Sequence, residues 1–299
     1  MVHETLSATH AVVTLDAGLP GIVWPWKVTI NMWAKSIGTG VIFMLFYLLR
    51  KYPEAAGNLR TSTAIVSFVF INIFLLFTLA DLHQPLRMWH IFAYTHMTSA
   101  IAVGAWMATA FVGLLALLVF IGLFKKDPVL FDKILLVVTI LAVPVTLYTA
   151  GLMSQCTARE LWQMPTESAQ MILAALLAGS ATMILLGYKL PDEAKNSLAV
   201  ILGLSALASF ILYMAELVFG PMKAEEVAAV LELVKGHGEY TTMFWIGQTF
   251  AYLVPMVLVL LSIINKSTSL LKVASVSALI GLWVAKDVWL KIPQLLPMS

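Results

Sequence analysis

Long apolar stretches recur along this sequence, and their length limits the folds open to the chain more than any other feature. An α-helix rises 1.5 Å per residue, so about 20 residues cross a hydrocarbon core of ~30 Å. The stretches of this length cover residues 27–49, 62–81, 98–124, 134–153, 168–188, 198–219, 240–264 and 273–290. We therefore predict an all-α membrane protein with about eight transmembrane helices.

The composition agrees with a bilayer as the solvent around these helices. Hydrophobic residues make up 61% of the chain and charged residues 11%, and the mean hydropathy is +0.92, whereas soluble domains contain about 25% charged residues. A net charge of +2, without a basic run that also carries aromatics, excludes nucleic acid as an expected partner and leaves membrane lipid. The polar start of the chain lacks the basic region of a secretory signal peptide, so no cleavage is expected.

Basic residues in the loops predict the orientation of the helices. Loops that follow odd-numbered spans carry ten: Arg50, Lys51, Arg60, Lys125, Lys126, Lys133, Lys189, Lys195, Lys266 and Lys272. The opposite loops and span ends carry about six: Lys27, Arg87, Arg159, Lys223, Lys235 and Lys291. Because basic loops stay in the cytoplasm, we expect both termini outside a bacterial or archaeal plasma membrane.

Polar side chains within the spans concentrate in the halves that this orientation places outside. An ionisable group inside a membrane costs roughly 2.5–3.5 kcal/mol on insertion scales, so a chain that keeps several usually needs them. The polar side chains in these outer halves are Asn31, Lys35, Asp81, Tyr148, Glu216, Lys286 and Asp287. Lys286 lies near a span end and either serves a site or extends to the interface. The chemistry is therefore expected on the outer side.

The segment from Asp81 to Arg87 combines a carboxylate, an imidazole and a guanidinium within seven residues at a helix end. Such a set can hold a polar head group and pass protons, since histidine as a residue type changes its charge near neutral pH. The alternative is an Asp81–Arg87 ion pair that only fixes the end of the helix.

Two helical faces extend this polar pattern. Asn31 and Lys35 are four residues apart and share one face. Ser205, Ser209, Tyr213 and Glu216 form a stripe that a proton or a chain of waters can follow. Small hydroxyl residues also allow helices to pack closely, so the stripe has a purely structural interpretation as well.

The positions of histidine and cysteine argue against a metal redox centre in this chain. All six histidines lie in predicted termini, loops or span ends, where they cannot hold a transmembrane haem between facing helices. The single cysteine, Cys156, provides neither an iron–sulfur cluster nor an internal disulfide. We expect no haem and no iron–sulfur cluster here.

Four groups of residues, in this order, resemble the NrfD/PsrC family, the membrane subunits of polysulfide-reductase-like complexes. They are Asp81-Leu82-x-x-Pro85-Leu86-Arg87; Tyr148-Thr149-Ala150-Gly151 followed by Leu161-Trp162-Gln163-Met164-Pro165; Phe244-Trp245-Ile246-Gly247 with Pro255; and residues 281–294. The chain departs from the family pattern at Lys35, where an apolar residue is usual, and at Lys286, where arginine is expected.

The resemblance implies a fold of two four-helix bundles. It divides the chain into an outer N-terminal segment 1–26, a first bundle 27–153, an outer loop 154–167, a second bundle 168–292, which contains an outer loop 220–239 with a possible surface helix, and an outer tail 293–299.

The implied function is exchange of electrons and protons with a quinone, menaquinone or ubiquinone, bound in the first bundle near the outer face. Asp81, His83 and Glu216 would act in proton transfer, and Asn31, Lys35, Arg87 and Tyr148 would bind the quinone. The implied partners are a four-cluster ferredoxin-like iron–sulfur subunit and a molybdopterin or multihaem catalytic subunit.

Two other functions remain open from the sequence. In a secondary transporter, Lys35 and Glu216 would bind substrate or ions, and Pro144 and Pro255 would interrupt helices in the paired manner of such proteins. The second open function is that of a structural anchor without a quinone site. The position of the charges toward one face, rather than at the bilayer centre, favours the redox subunit over the transporter.

Overall fold

The computed structural model describes residues 22–187 and 189–295, and within them every regular element is helical. Eight helices are long and apolar enough to cross a membrane, which confirms the predicted class and number. They are α1 Trp26–Lys51, α2 Pro53–Asp81, α3 Ala100–Lys125, α4 Pro128–Ser154, α5 Met164–Leu186, α6 Asp192–Met222, α7 Thr241–Asn265 and α8 Thr268–Gln294. Most of the predicted N-terminal segment 1–26 and the end of the tail 293–299 lie outside the described residues.

Side-chain caps explain where a membrane helix begins after a short turn. At the α3–α4 turn, Lys126 adopts a left-handed conformation with φ of 52°, which ends the preceding helix. The carboxylate of Asp127 then accepts hydrogen bonds from the backbone N–H groups of Val129 (3.0 Å) and Leu130 (3.1 Å). Pro128 occupies the first helical position, where a missing N–H costs nothing. The turn residues therefore reverse the chain within a few positions.

Several helices begin earlier than the apolar stretches predict, and α5 and α6 are two of them. Helix α5 begins at Met164 rather than at residue 168, and α6 begins at Asp192 rather than at 198. Pro165 stands in the first turn of α5, and Pro191 directly precedes α6, both positions that proline favours. Polar first turns are helical without being apolar, so hydropathy alone misses them. One consequence is that Glu167 lies inside α5.

Helix α1 is the most extensively packed of the eight. It contacts α2, α4, α5 and α8, while α2 also contacts α3, and α3 contacts α4. In the second half of the chain α5 contacts α6, α6 contacts α7, α7 contacts α8, and α8 returns to α5; α4 also meets α5. This contact pattern is compatible with two groups of four, and the division into two bundles remains a prediction.

Glycines allow α1 and α5 to cross in backbone contact. A Cβ atom on Gly40 would lie 2.0 Å from the carbonyl oxygen of Ala175, and one on Gly179 would lie 2.3 Å from the carbonyl oxygen of Gly40. Membrane helices lack a hydrophobic driving force for association, and small residues let their backbones approach closely enough for strong van der Waals contact. The crossing therefore depends on the absence of side chains at both positions.

The first and last described residues meet at one face of the molecule, which we call the terminal face: the face where α1 begins and α8 ends. The backbone N–H of Trp24 donates to Oε1 of Gln294 at 2.8 Å, and Nε2 of Gln294 donates to the carbonyl oxygen of Trp24 at 3.2 Å. The indole of Trp24 stacks on that of Trp162 with ring centroids 5.1 Å apart. These contacts join α1, α8 and the α4–α5 loop.

The loop 220–239 lies on the same face and contains a short helix, Glu225–Glu232. Its apolar residues Val227, Val230 and Leu231 are fully buried. The carboxylate of Glu226 lies 3.9 Å from the guanidinium of Arg159 and accepts a 3.2 Å hydrogen bond from the backbone of Glu160. The apolar side of this helix therefore faces protein, so the helix does not rest on the bilayer by that side.

We predict that Gly40→Val destabilises the protein by about 3 kcal/mol, because an added side chain must separate α1 from α5. Thermal unfolding in detergent measures the effect. The matched control is Gly113→Val on α3, where an added Cβ meets no atom within 4 Å. Equal unfolding midpoints for the two variants would contradict the proposed role of the crossing.

Candidate functional site

An apolar cavity of about 380 Å³ opens near the terminal face between α2, α3 and α4. The end of α2, the start of α3 and the segment between them form its walls, and Tyr148 of α4 contributes to the lining. Its lining includes Phe74, Thr78, Leu79, Leu82, Met88, Phe92, Ile101, Gly104 and Tyr148. Cavities that hold small organic ligands measure roughly 300–1,000 Å³ and combine apolar walls with a few polar groups. This cavity has that size and composition.

Gly104 determines the position of the Tyr148 ring. A Cβ atom on Gly104 would lie 1.9 Å from Cε2 of Tyr148, so the ring occupies the space that a side chain would fill. Among the described residues none exchanges a hydrogen bond with the Tyr148 hydroxyl. The half-buried phenol is therefore available as a donor to a ligand in the cavity.

Asn31 supports the cavity wall rather than lining it. Its side-chain amide donates to the hydroxyl of Thr78 and to the carbonyl oxygen of Phe74, the latter at 3.4 Å. Thr78 itself lines the cavity, and its hydroxyl donates to the same Phe74 carbonyl at 2.8 Å. Asn31 thereby fixes a hydroxyl group on the wall.

Lys35 places an amine directly behind the same wall. It is 1% exposed, and its Nζ donates to the hydroxyl of Thr149, the residue next to Tyr148. Nζ lies 6.0 Å from the ring centroid of Phe74 and 5.9 Å from that of Tyr148, at the limit of cation–π attraction. Within the described residues no carboxylate pairs with it. The charge of Lys35 is therefore offset only weakly, by one hydroxyl group and by two aromatic rings at the limit of cation–π distance.

The remaining residues predicted from the Asp81–Arg87 segment lie at the rim of the cavity. Asp81 ends α2, and Leu82, which follows it, is part of the lining. Lys27 donates to the backbone carbonyl of Ala80 at 3.3 Å, close to the Asp81 carboxylate. His83 and Arg87 are exposed and do not line the cavity. The described residues contain no ion pair between Asp81 and Arg87. The alternative interpretation, in which such a pair only fixes the end of the helix, therefore finds no support in the structure.

Glu216 does not join this group. It lies on α6, and both of its carboxylate oxygens accept hydrogen bonds of 2.8 Å from Nζ of Lys223. The structure thus brings Asn31, Lys35 and Tyr148 together at the cavity with Asp81 at its rim, and places Glu216 in a separate polar cluster among the last four spans.

Sequence reasoning missed Thr78, Thr149 and Gly104. Threonine hydroxyls in membrane helices commonly bond to the carbonyl four residues earlier, as that of Thr78 does, so they do not stand out as site residues. The signal for Gly104 is a glycine within a strongly apolar span, which indicates a close approach by a neighbouring group but does not identify it.

Cys156 lies in the α4–α5 loop, half-buried against a small apolar cluster whose members include Trp162 and Met32. Burial raises the pKa of the Cys156 thiol, and the nearby charge of Arg159 lowers it by less. At neutral pH the folded protein therefore holds less reactive thiolate than an unfolded chain does.

We predict that maleimide labels Cys156 more slowly in the folded protein than in the SDS-unfolded chain at neutral pH. The labelling rate of the folded protein should continue to rise with pH after that of the unfolded chain has levelled off, because the folded pKa is the higher one. Identical pH profiles would contradict the assigned environment.

The fold and cavity define a multi-pass helical membrane protein with an apolar cavity near one face. The sequence profile of the family described as polysulphide reductase, NrfD, matches residues 17–290, and the chain therefore belongs to the NrfD family. A search of curated proteins gives no match. Membership confirms the resemblance and makes the chain a membrane subunit of the respiratory oxidoreductase complexes that this family serves. It gives no support to the transporter interpretation.

Proposed function

We propose that this chain is the quinone- or quinol-reactive subunit of its oxidoreductase complex and that the cavity beside Tyr148 is the quinone site. The observation that carries the proposal is the 380 Å³ apolar cavity with a Tyr148 hydroxyl unbonded within the described residues and a Thr78 hydroxyl held in place on its wall. A quinone head group suits this cavity, because its ring is apolar and the Tyr148 hydroxyl can donate a hydrogen bond to one of its oxygens.

Each residue of the site has a role in binding or proton transfer. Tyr148 donates a hydrogen bond to one quinone oxygen. Thr78, whose hydroxyl proton is donated to the Phe74 carbonyl, contacts the ring from the wall. Lys35 holds positive charge behind the wall, where it stabilises negative charge on the oxygens. Asp81 and His83 at the rim exchange protons with water, and Arg87 contributes positive charge there.

The electrons pass to or from an iron–sulfur subunit with four clusters, which docks on the terminal face and connects to a molybdopterin or multihaem subunit. The segment between α2 and α3 supports this position. It covers the cavity and exposes Leu86 (91% accessible), Tyr94 and Met97. Large apolar side chains on such a segment suit a protein partner or the bilayer interface.

We place the terminal face outside the plasma membrane, following the distribution of basic residues. In a Cys156→Ser background, Glu160→Cys reports on the terminal face and Lys125→Cys on the opposite face, since both positions are exposed. A membrane-impermeant maleimide applied to intact spheroplasts should label the cysteine at 160 and should label that at 125 only after permeabilisation. The reverse pattern would contradict the orientation.

We predict that Tyr148→Phe lowers quinol turnover by the intact complex about tenfold, the effect of one lost hydrogen bond of ~1.4 kcal/mol. Tyr240→Phe, at the start of α7, serves as a control and should retain turnover. Asp81→Asn and His83→Ala should lower turnover by removing proton exchange at the rim. If both rim variants turn over at the wild-type rate, the assignment of those two residues fails.

Gly104→Ala should raise KM for quinol, because its methyl group must displace the Tyr148 ring from the cavity wall. Gly113→Ala on the same helix adds a methyl group in open space and controls for helix propensity. Initial rates over a range of quinol concentrations measure both. An unchanged KM for Gly104→Ala would place the quinone elsewhere and would favour a structural anchor.

A further inference from the structure

A second set of charged groups is buried among α5, α6 and α8, away from the cavity lining. Glu167 is 2% exposed, Lys286 is 4% exposed and Glu216 is 7% exposed. Nε1 of Trp289 donates to Oε1 of Glu167 at 2.9 Å, and Nζ of Lys286 lies 3.6 Å from the sulfur of Met171. Lys286 is thus held inside the protein rather than extended to the interface. Charges buried this deeply are costly in a membrane, so their retention requires a reason.

One end of this set reaches the cavity. Lys286 contacts Met171, one turn along α5 from Glu167, and Glu167 accepts from Trp289, one turn along α8 from Lys286, so these two groups face each other across α5 and α8. Lys35 and Lys286 interact electrostatically. Lys35 in turn is hydrogen-bonded to Thr149, next to the Tyr148 phenol in the cavity wall. Titratable groups therefore follow one another from the wall into the last four spans.

The other end reaches the terminal face. Glu167 interacts electrostatically with Glu216 and Lys223. Glu216 is hydrogen-bonded through both oxygens to Lys223, whose side chain is 26% exposed at the end of α6. The row Lys35, Lys286, Glu167, Glu216, Lys223 thus runs from the cavity wall to the surface.

Unpartnered polar atoms lie on α6 and on the neighbouring helix α7. The hydroxyl of Ser209 and both amide atoms of Gln248 are buried without a hydrogen-bond partner. Gln248 directly precedes a π-helical turn, Thr249–Leu253, a feature that is frequent at functional sites. Gln170, one turn from Glu167, donates to the backbone carbonyl of Ser209 at 3.4 Å. Buried polar atoms of this kind usually bind ordered water, which can carry protons between side chains.

We propose that Lys286, Glu167 and Glu216 form a proton route from Lys35 at the cavity wall to Lys223 at the terminal face. This proposal rests on the proposed function. When a quinol is oxidised, its two electrons go to the iron–sulfur partner and its two hydroxyl protons leave. The protonated Lys35 passes its own proton along the row and is then reprotonated from the cavity side. Each group regains its starting state once the proton reaches water, and quinone reduction uses the route in reverse.

The route differs from the exit through Asp81 and His83, because its groups lie on α5, α6 and α8 and contribute no side chain to the cavity lining. Removing one of them should therefore slow proton transfer without changing how quinol binds. The route can therefore be tested by whether a variant lowers kcat while KM for quinol stays unchanged.

The test uses the intact complex with a soluble quinol. Glu167→Gln and Lys286→Met should lower kcat tenfold or more, within the range for lost proton-transfer groups, and should leave KM unchanged. A small weak acid such as azide should restore part of the rate, since it can carry protons where the side chain is missing. Glu167→Asp should retain much of the rate.

Asp287→Asn is the matched control. Asp287 is a buried carboxylate on the same helix, but it bonds to Thr29 at 2.8 Å and to Lys291 at 2.6 Å and is not in the row. Its turnover should stay near wild type and should not respond to azide. A second variant, Glu216→Gln with Lys223→Gln, replaces the surface ion pair by neutral amides and should show the same azide-sensitive loss even if Glu167→Gln does not fold.

Unchanged kcat in Glu167→Gln and in the double variant would overturn the route, as would a loss accompanied by a raised KM and no azide response. If Tyr148→Phe lowers turnover while these variants do not, only the route fails. If the wild-type complex neither oxidises quinol nor reduces quinone, the proposed function itself fails.

Discussion

The contact between α1 and α5 at Gly40 and Gly179 determines where the polar groups of this protein meet. Helix α1 carries Asn31 and Lys35, and α5 carries Glu167. Because the two backbones touch, α1 lies deep in the protein and packs against helices from both halves of the chain. Without that approach, Lys35 would lose its position between the cavity wall and α8.

The buried charged groups determine which chemistry this arrangement can perform. A buried lysine in a membrane protein needs a carboxylate, a hydrogen-bond acceptor or water. Lys35 has Thr149 and two aromatic rings, while Lys286 faces Glu167 across α8 and α5 through the contacts with Met171 and Trp289. An incompletely compensated set of this kind holds or releases a proton readily in response to charge nearby. A quinone site beside Lys35 would supply that change in charge.

Hydropathy predicted the number and class of the helices well, because length and apolarity are properties that a membrane span must have. Hydropathy places each polar residue along its helix, but it does not specify which neighbouring helix that residue faces. Asp81 and Glu216 end their spans at the same face, and the sequence therefore suggested one site, whereas the structure places Glu216 with Lys223 on the other half of the chain. Glu167 was missed because its helix begins before the apolar residues do, although Pro165 indicates that start. The contact of Gly104 with Tyr148 depends on helix packing, which one sequence does not specify.

The central claim is that a quinone occupies the cavity between the end of α2 and the start of α3, against Tyr148. Photolabelling of the intact complex with an azidoquinone, followed by peptide mapping, tests it most directly. We predict that label appears in peptides from the end of α2, the α2–α3 segment and the start of α3, and that excess quinone prevents it. Competable label confined to peptides from α6 and α7, with none from these segments, would contradict the account.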